Sequence, residues 1–373
     1  MTSSLSNRRK VLVLAPSLNG IGGVQNYTRT LVEGLGDVLG NDRVRVVTVP
    51  EEARARHGGP PTLRTSTKIR FFVSAVASAN SWRPDLVICA HIGVAPVGRL
   101  IQRFIRIPYW VILYGIEVWG ELSSAKRDAL RDAARLVAIT RFTLDAAIKR
   151  QALREIAAVI LPPTLPKKDT PSPKTNGCTS AEKQRPMVLT VGRVAASERY
   201  KGHDVMLEAW PSVLRQVPNA EYWIVGDGDD RSRLELRARE LGITDSLHFA
   251  GSVSPEELAV CYDRCCVFAM PARTELDREV PRGEGFGIVF LEAMAHGKPV
   301  VGPRGGAPAE FICSGEHGLL VDPTDPREVA DALVELLRNP ARARRMGEAA
   351  RESVAREFSF ERFCERLRDA LMP

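Results

Sequence analysis

Apolar residues along this chain fall into two repeating patterns. In the first half, short runs that are apolar throughout alternate with stretches of helical period. The runs are KVLVLAP (10–16), VRVVTVP (44–50), DLVICAH (85–91), YWVILYG (109–115) and RLVAIT (135–140). Strands without polar alternation, separated by helices, predict a parallel sheet covered on both faces. The pattern stops at LPPTLPKKDTPSPKTNGCTSAEKQRP (161–186), whose Pro, Lys and polar residues without period read as a linker. It restarts with MVLTVGRV (187–194), EYWIVGDG (221–228), SLHFAGSV (246–253), CVFAMPA (266–272), KPVVGP (298–303) and GLLVD (318–322), again with helical stretches between. From about Ala341 the chain is a charged amphipathic helical tail. The fold class expected is α/β, with two domains at 1–165 and 187–355, a linker at 166–186 and a last helix at 356–373.

Length agrees with this division, because 373 residues exceed one ordinary core. A chain that is 44% hydrophobic and 26% charged fits a soluble enzyme or binding protein, and no apolar run approaches the roughly 20 residues of a membrane span. The start, MTSSLSNRRK, runs directly into a strand, so no cleaved leader is expected. Seven cysteines without a secretion signal predict reduced thiols in a cytoplasm. Cys261, Cys265 and Cys266 lack zinc spacing and are expected to be a small buried cluster. The net charge of +7 is uneven: residues 1–168 hold 25 Lys+Arg against 12 Asp+Glu, the remainder 27 against 33. A basic first half suggests an anionic partner: a phosphate-bearing substrate, a membrane surface or nucleic acid.

In open parallel sheets, ligands sit at the carboxyl ends of strands, so the informative loops follow strands. Gly22 and Gly23 follow the first strand and open a helix, where an anion is favoured; a plain turn is the alternative. The spacing is not GxGxxG, which disfavours NAD. In GRVAASERYKG, Arg193 and Lys201 lie on a glycine-flanked loop just past a strand, which suits a diphosphate; otherwise they are solvated charges. EGFGIVFLEAMAHGKPVV (284–301) holds two carboxylates eight apart. Glu292 is the only charge in the apolar stretch 288–295, and a carboxylate out of water needs a partner. Gly285 and Gly287 leave the backbone at the helix start open to a phosphate. Carboxylates beside a phosphate would be repelled, so Glu284 and Glu292 are expected to serve hydroxyls, as on a nucleotide sugar. A buried ion pair with an arginine is the alternative for Glu292.

GRVAASERYKG, IVGDGDD, FAGSVSPEEL, EGFGIVFLEAMAHGKPVV, GGAPAE and GLLVDPTDPREVADAL together resemble the family-four retaining glycosyltransferases of the GT-B type, in order over most of residues 187–340. GGVQNY and YGIEVW resemble that family's first half more loosely. The resemblance implies two Rossmann-like domains facing across a cleft. The first would bind the acceptor and the second the nucleotide sugar, with the last helix crossing back to the first domain. Carried over by position, it implies that Arg193 and Lys201 hold the diphosphate, Glu284 the donor sugar and Glu292 the ribose. Phe286, Gly287 and Ile288 would present backbone groups to sugar and phosphate. Val253 would lie at the base, and Gly22 and Gly23 on the phosphates. Tyr114 stands where the family has a histidine; it can donate a hydrogen bond to the sugar but is a poor acid near neutral pH. His91 is a candidate for the acceptor or sugar, or has a core or loop role. Glu117 orients the acceptor or caps a helix.

The expected reaction is transfer of a hexosyl group, with retention, from a UDP- or GDP-sugar to a hydroxyl of a glycan, lipid-linked or small-molecule acceptor. No metal or other cofactor is required, since two cations and a helix start can stabilise the departing diphosphate. GDGDD (226–230) reads as a turn. In TLRTSTKIRFFVSAV (62–76) and GRLIQRFIRIPYW (98–110) cations mix with apolar residues, and Arg99, Arg103 and Arg106 share a helical face. That suits peripheral contact with the inner membrane face or a lipid phosphate, or else an ordinary amphipathic helix. The rivals are a nucleotide-sugar epimerase or hydrolase on the same fold and a nucleic-acid-binding protein. The latter lacks a recognised motif, so no nucleic-acid partner is expected.

Overall fold

The computed structural model describes residues 9–19, 22–50, 65–154, 156–165 and 185–372. The chain forms two compact units, residues 1–166 with 360–373, and residues 167–359. The expected linker falls outside the described residues except for residues 185–186.

The first unit is built on six parallel strands: β1 (Val11–Ala15), β2 (Val44–Thr48), β3 (Leu86–Cys89), β4 (Tyr109–Leu113), β5 (Arg135–Ala138) and β6 (Ala158–Ile160). Their order is β2-β1-β3-β4-β5-β6, in parallel register throughout. β1, β3 and β4 are buried along their whole length, which is why they read as unbroken apolar runs. The last helix, Phe360–Leu371, belongs to this unit. It lies against helix Gly23–Leu39: the Phe363 ring meets Tyr27 edge-on at 6.0 Å, and a Cβ added at Gly34 would come within 3.1 Å of it. Arg9 and Arg135 donate to the Leu371 and Ala370 carbonyls, closing the end of that helix.

The second unit repeats the plan with β7 (Met187–Val191), β8 (Glu221–Val225), β9 (Leu247–Gly251), β10 (Val267–Ala269), β11 (Val300–Pro303) and β12 (Gly318–Val321). The order is β12-β11-β10-β7-β8-β9. Trp210 and Val213 of helix His203–Gln216 and Leu333 and Leu336 of helix Pro326–Arg338 share a core with Val188, Tyr222 and Val267. The chain runs outward from β7 through β8 to β9, then returns to β7's other side as β10. The strand order therefore reverses between β7 and β10, and in the first unit between β1 and β3. At such a reversal the outgoing loops diverge and leave a crevice at the carboxyl ends.

All eleven expected strands are present. β6 was not anticipated: it is a three-residue edge strand, with Ala158 exposed, running into two prolines. The cysteine cluster differs from expectation, since only Cys265 of the three is fully buried.

Candidate active site

In the second unit, the crevice between β7 and β10 is lined by the loop after each strand. The loop after β7 is tied down by backbone bonds from Gly192 to Val225 at 2.9 Å and Val194 to Asp227 at 3.0 Å. GDGDD supports that loop, as its reading as a turn requires. Asp229 accepts from the Ala196 amide at 2.8 Å, and Asp230 binds Arg233 and Arg199, each at 2.6 Å. Arg233, aided by Arg199 against the effect of burial, holds the Asp230 carboxyl down to about 2. Two short 3₁₀ turns within Ala196–Lys201, kinked at Glu198, bring the cations round, and Gly202 ends the segment at φ 90°. A Cβ at Gly202 would lie 2.3 Å from the Pro271 carbonyl oxygen, so only glycine fits.

The loop after β10 closes a small antiparallel turn through mutual Glu275 and Arg282 backbone bonds, then delivers Glu284. Lys201 Nζ donates to Glu284 Oε1 at 2.6 Å and lies 3.7 Å from Glu198 Oε2. Arg193 pairs with the same Glu198. Lys201 and Glu284 are largely withdrawn from solvent, at 13% and 15% exposure, whereas the Arg193 side chain is 77% exposed. The structure thus brings Arg193, Lys201 and Glu284 into one cluster through Glu198, which sequence reasoning missed. Its only signal was being the sole carboxylate on a loop with two expected ligand cations. In this structure the Glu284 carboxylate rests on Lys201, whose ammonium offsets its charge.

Gly287, at φ 88°, starts helix Ile288–Ala295 with no side-chain cap. A Cβ there would fall 2.8 Å from the Phe290 ring. Phe286 is buried and stacks on Phe311 at 4.7 Å, which anchors the turn preceding the uncapped amides. Tyr262 donates to Glu292 Oε2 at 2.7 Å. Val253 is half-buried after β9, one residue before the Ser254–Glu257 capping box. Cys313, Glu316 and His317 bring ligand atoms within 4.8 Å of one another, but they precede β12, at the amino end of the sheet.

The first unit's candidates lie at the carboxyl ends of β1, β3 and β4. Gly22 precedes helix Gly23–Leu39, which has no side-chain cap and no acid in its first turn. A Cβ at Gly23 would meet nothing within 4 Å. His91 Nδ1 accepts from the Gly93 amide at 2.9 Å, which leaves the neutral ring's proton on Nε2. Burial, with Lys126 second, pushes His91 down to about 4, so the ring is neutral at ordinary pH. The Tyr114 hydroxyl is held within the unit. It donates to the Ala90 carbonyl at 3.0 Å and lies 3.5 Å from Thr28 Oγ1, and burial raises its pKa. Glu117 accepts from the Tyr114 amide at 2.6 Å, the capping alternative, and burial raises its pKa. Of the three arginines read as one basic face, Arg99 instead bonds Asp132 at 2.6 Å and Asp128 at 3.2 Å.

The model for glycosyl transferases group 1 matches residues 178–353. The chain is 40% identical over 190 residues to the GDP-mannose-dependent alpha-(1-6)-phosphatidylinositol monomannoside mannosyltransferase of Mycobacterium tuberculosis. That match takes in 50% of this chain and 48% of the relative, so the chain spans about half the length of that curated protein. It is 27% identical over 380 residues to the D-inositol 3-phosphate glycosyltransferase of Corynebacterium diphtheriae, covering 92% and 84% of the two chains. Among solved structures, Anabaena HepE in complex with UDP aligns with a TM-score of 0.74 over 97% of this chain and 99% of its own, at 18% identity, a likeness of fold. By sequence, residues 178–353 match the group 1 glycosyl transferases, and along nearly its whole length the chain has the GT-B fold.

Proposed function

We propose that the chain transfers a hexosyl group, with retention, from a nucleoside-diphosphate sugar to a hydroxyl of a lipid-linked acceptor. GDP-mannose is the donor we favour, and a phosphoinositol headgroup the acceptor. The observation that carries this reading is the Arg193–Glu198–Lys201–Glu284 cluster at the β7/β10 reversal, beside an uncapped helix start. The choice of donor and acceptor rests on the names of the mycobacterial and corynebacterial relatives.

Lys201 and Arg193 would take the diphosphate, and the amides around Gly287 would add dipoles aimed at the same charge. Glu284, released from Lys201 by the incoming anion, would accept from hydroxyls of the sugar, and Glu292 from those of the ribose. As the bond from anomeric carbon to phosphate oxygen breaks, negative charge grows on the diphosphate where the cations lie. The acceptor hydroxyl would attack from the leaving-group face and pass its proton to the phosphate oxygen. We propose that no metal is needed, because this chain's own cations carry that charge.

The first unit supports an acceptor held at a membrane surface. Helix Thr65–Trp82 buries one row, Thr67, Phe71, Ala75 and Ala79, and exposes a second apolar row with Ile69, Phe72 and Val73. Helix Ala95–Ile105 packs beside it and exposes Leu100 and Phe104. Residues 65–82 and 95–106 hold five cations and no carboxylate. An outward apolar row with cations and no acids suits the edge of an anionic bilayer. Among the described residues no helix is long and apolar enough to cross a membrane.

The test is transfer from radiolabelled GDP-mannose and from UDP-sugars to phosphatidylinositol-containing vesicles, with and without EDTA. We expect release of nucleoside diphosphate together with label in lipid, unaffected by EDTA. Free sugar alone would mean a hydrolase, and an altered but still nucleotide-bound sugar an epimerase. Phe104→Ser should lower co-sedimentation with anionic vesicles about tenfold while leaving nucleotide binding unchanged.

A further inference from the structure

Glu292 is the one charge in an eight-residue helix, and its neighbours one turn away, Ile288, Val289 and Ala295, offer it nothing polar in their side chains. His296, the remaining neighbour, is turned to Asp263, its Nδ1 lying 2.7 Å from Oδ1. One partner of Glu292 comes from thirty residues earlier. Tyr262, on helix Pro255–Arg264, places its hydroxyl 2.7 Å from Oε2. The Tyr262 ring is 2% exposed, stacks on His296 at 5.3 Å and 25°, and lies 6.1 Å from Phe268. It is therefore wedged, and so is the direction from which its hydroxyl arrives.

We propose that Tyr262 is a positioning residue for donor recognition: by donating to Oε2 it fixes the plane of the Glu292 carboxylate, and with it the enzyme's selectivity for a ribose diol. This rests on the donor-site reading above. Vicinal ribose hydroxyls are suited to a bidentate grip, which works only if the carboxylate plane faces both. Without the bond from Tyr262 the carboxylate has more freedom to rotate out of that plane. A cation would hold it too, but would take up the charge that the hydroxyls are to meet. A phenol holds it with one neutral bond and occupies one of its roughly four acceptor positions. Burial keeps that phenol protonated, with Glu292 adding to the effect, so the tyrosine gives the hydrogen and the glutamate receives it.

The test compares binding of GDP and 2′-deoxy-GDP, and of UDP and 2′-deoxy-UDP, to the full chain by calorimetry. The parental chain should prefer the ribonucleotide. Tyr262→Phe keeps the ring and its stack; it should lower that preference about tenfold, the loss of one bond to a charged group, with donor KM rising far more than kcat falls. Glu292→Gln should lose the same preference, and the double variant no more than Glu292→Gln alone. A merely structural tyrosine would lower the melting temperature and leave the ratio untouched. Should Tyr262→Phe not fold, His296→Ala removes the stacked ring and should lower the ratio about threefold. A preference retained in folded Tyr262→Phe while Glu292→Gln loses it overturns the role of Tyr262 alone. A parental chain that binds both sugars equally overturns the donor-site reading and this proposal with it.

Discussion

The loop ends of the two sheets use the same topology and opposite electrostatics. At the β7/β10 reversal, acids and bases are paired: Arg193 with Glu198 and Lys201 with Glu284, with Glu198 also 3.7 Å from Lys201. At the carboxyl ends of β3 and β4, burial drives the titratable groups toward neutrality, with His91 lowered and Tyr114 and Glu117 raised. Under the proposed function, the difference would let one strand plan serve two tasks. A leaving diphosphate needs fixed charge, while a surface that receives an alcohol does better without competing ions.

The strongest way to break this comparison is Lys201→Ala. It removes the cation from between two carboxylates, and kcat/KM for transfer should fall about a thousandfold, ~4 kcal/mol. Parental turnover in this variant would move the leaving group away from the charged reversal.

Acid probes both units through their buried histidines. His91 and His203 are each pushed down to about 4 by burial, with Lys126 and Lys201 as the respective second causes. The unfolded chain takes up protons first as pH falls, so this stability is complete above about 6.5 and is lost progressively down to about 4. Urea denaturation across that range should show a loss of up to about 3 kcal/mol per histidine. His203→Gln should remove part of it. An unchanged slope would mean that the rings reach solvent.

Glycines sharpen the contrast at smaller energies. Gly202→Ala forces a side chain against the Pro271 carbonyl at positive φ and should destabilise by about 2–3 kcal/mol in urea. Gly23→Ala meets no protein atom and should change stability by less than about 0.5 kcal/mol. If the Gly23 backbone is approached by a ligand, donor KM will rise in that variant although the fold is untouched. An unaltered KM would make it a plain helix start.

The central strands were legible because burial on both faces leaves no polar alternation to confuse them, and the outer ones β2, β9 and β12 because short apolar runs stand between helical stretches. β6 escaped because a three-residue edge strand needs few apolar positions. In the candidate site, Arg193, Lys201 and Glu284 could be read together because each sits on a loop directly after a strand. Glu198 and Tyr262 could not. The first is set by one tight turn in a loop, and the second by how a helix packs thirty residues away from its partner. The same blindness to distant packing made Arg99 look like part of an open basic face, when Asp128 and Asp132 on the next helix hold it. The acceptor of the Tyr114 hydroxyl was not legible for a related reason: the Ala90 carbonyl lies just past a different strand.

The placement of helix Phe360–Leu371 in the first unit carries a consequence for biosynthesis. Residues 23–39 leave the ribosome early, yet the face they present to Phe363 and Leu367 stays bare until every strand of the second unit has been made. The unit that is translated first is therefore completed last, and during that interval its uncovered Tyr27 and Leu31 surface is the segment with most need of a chaperone.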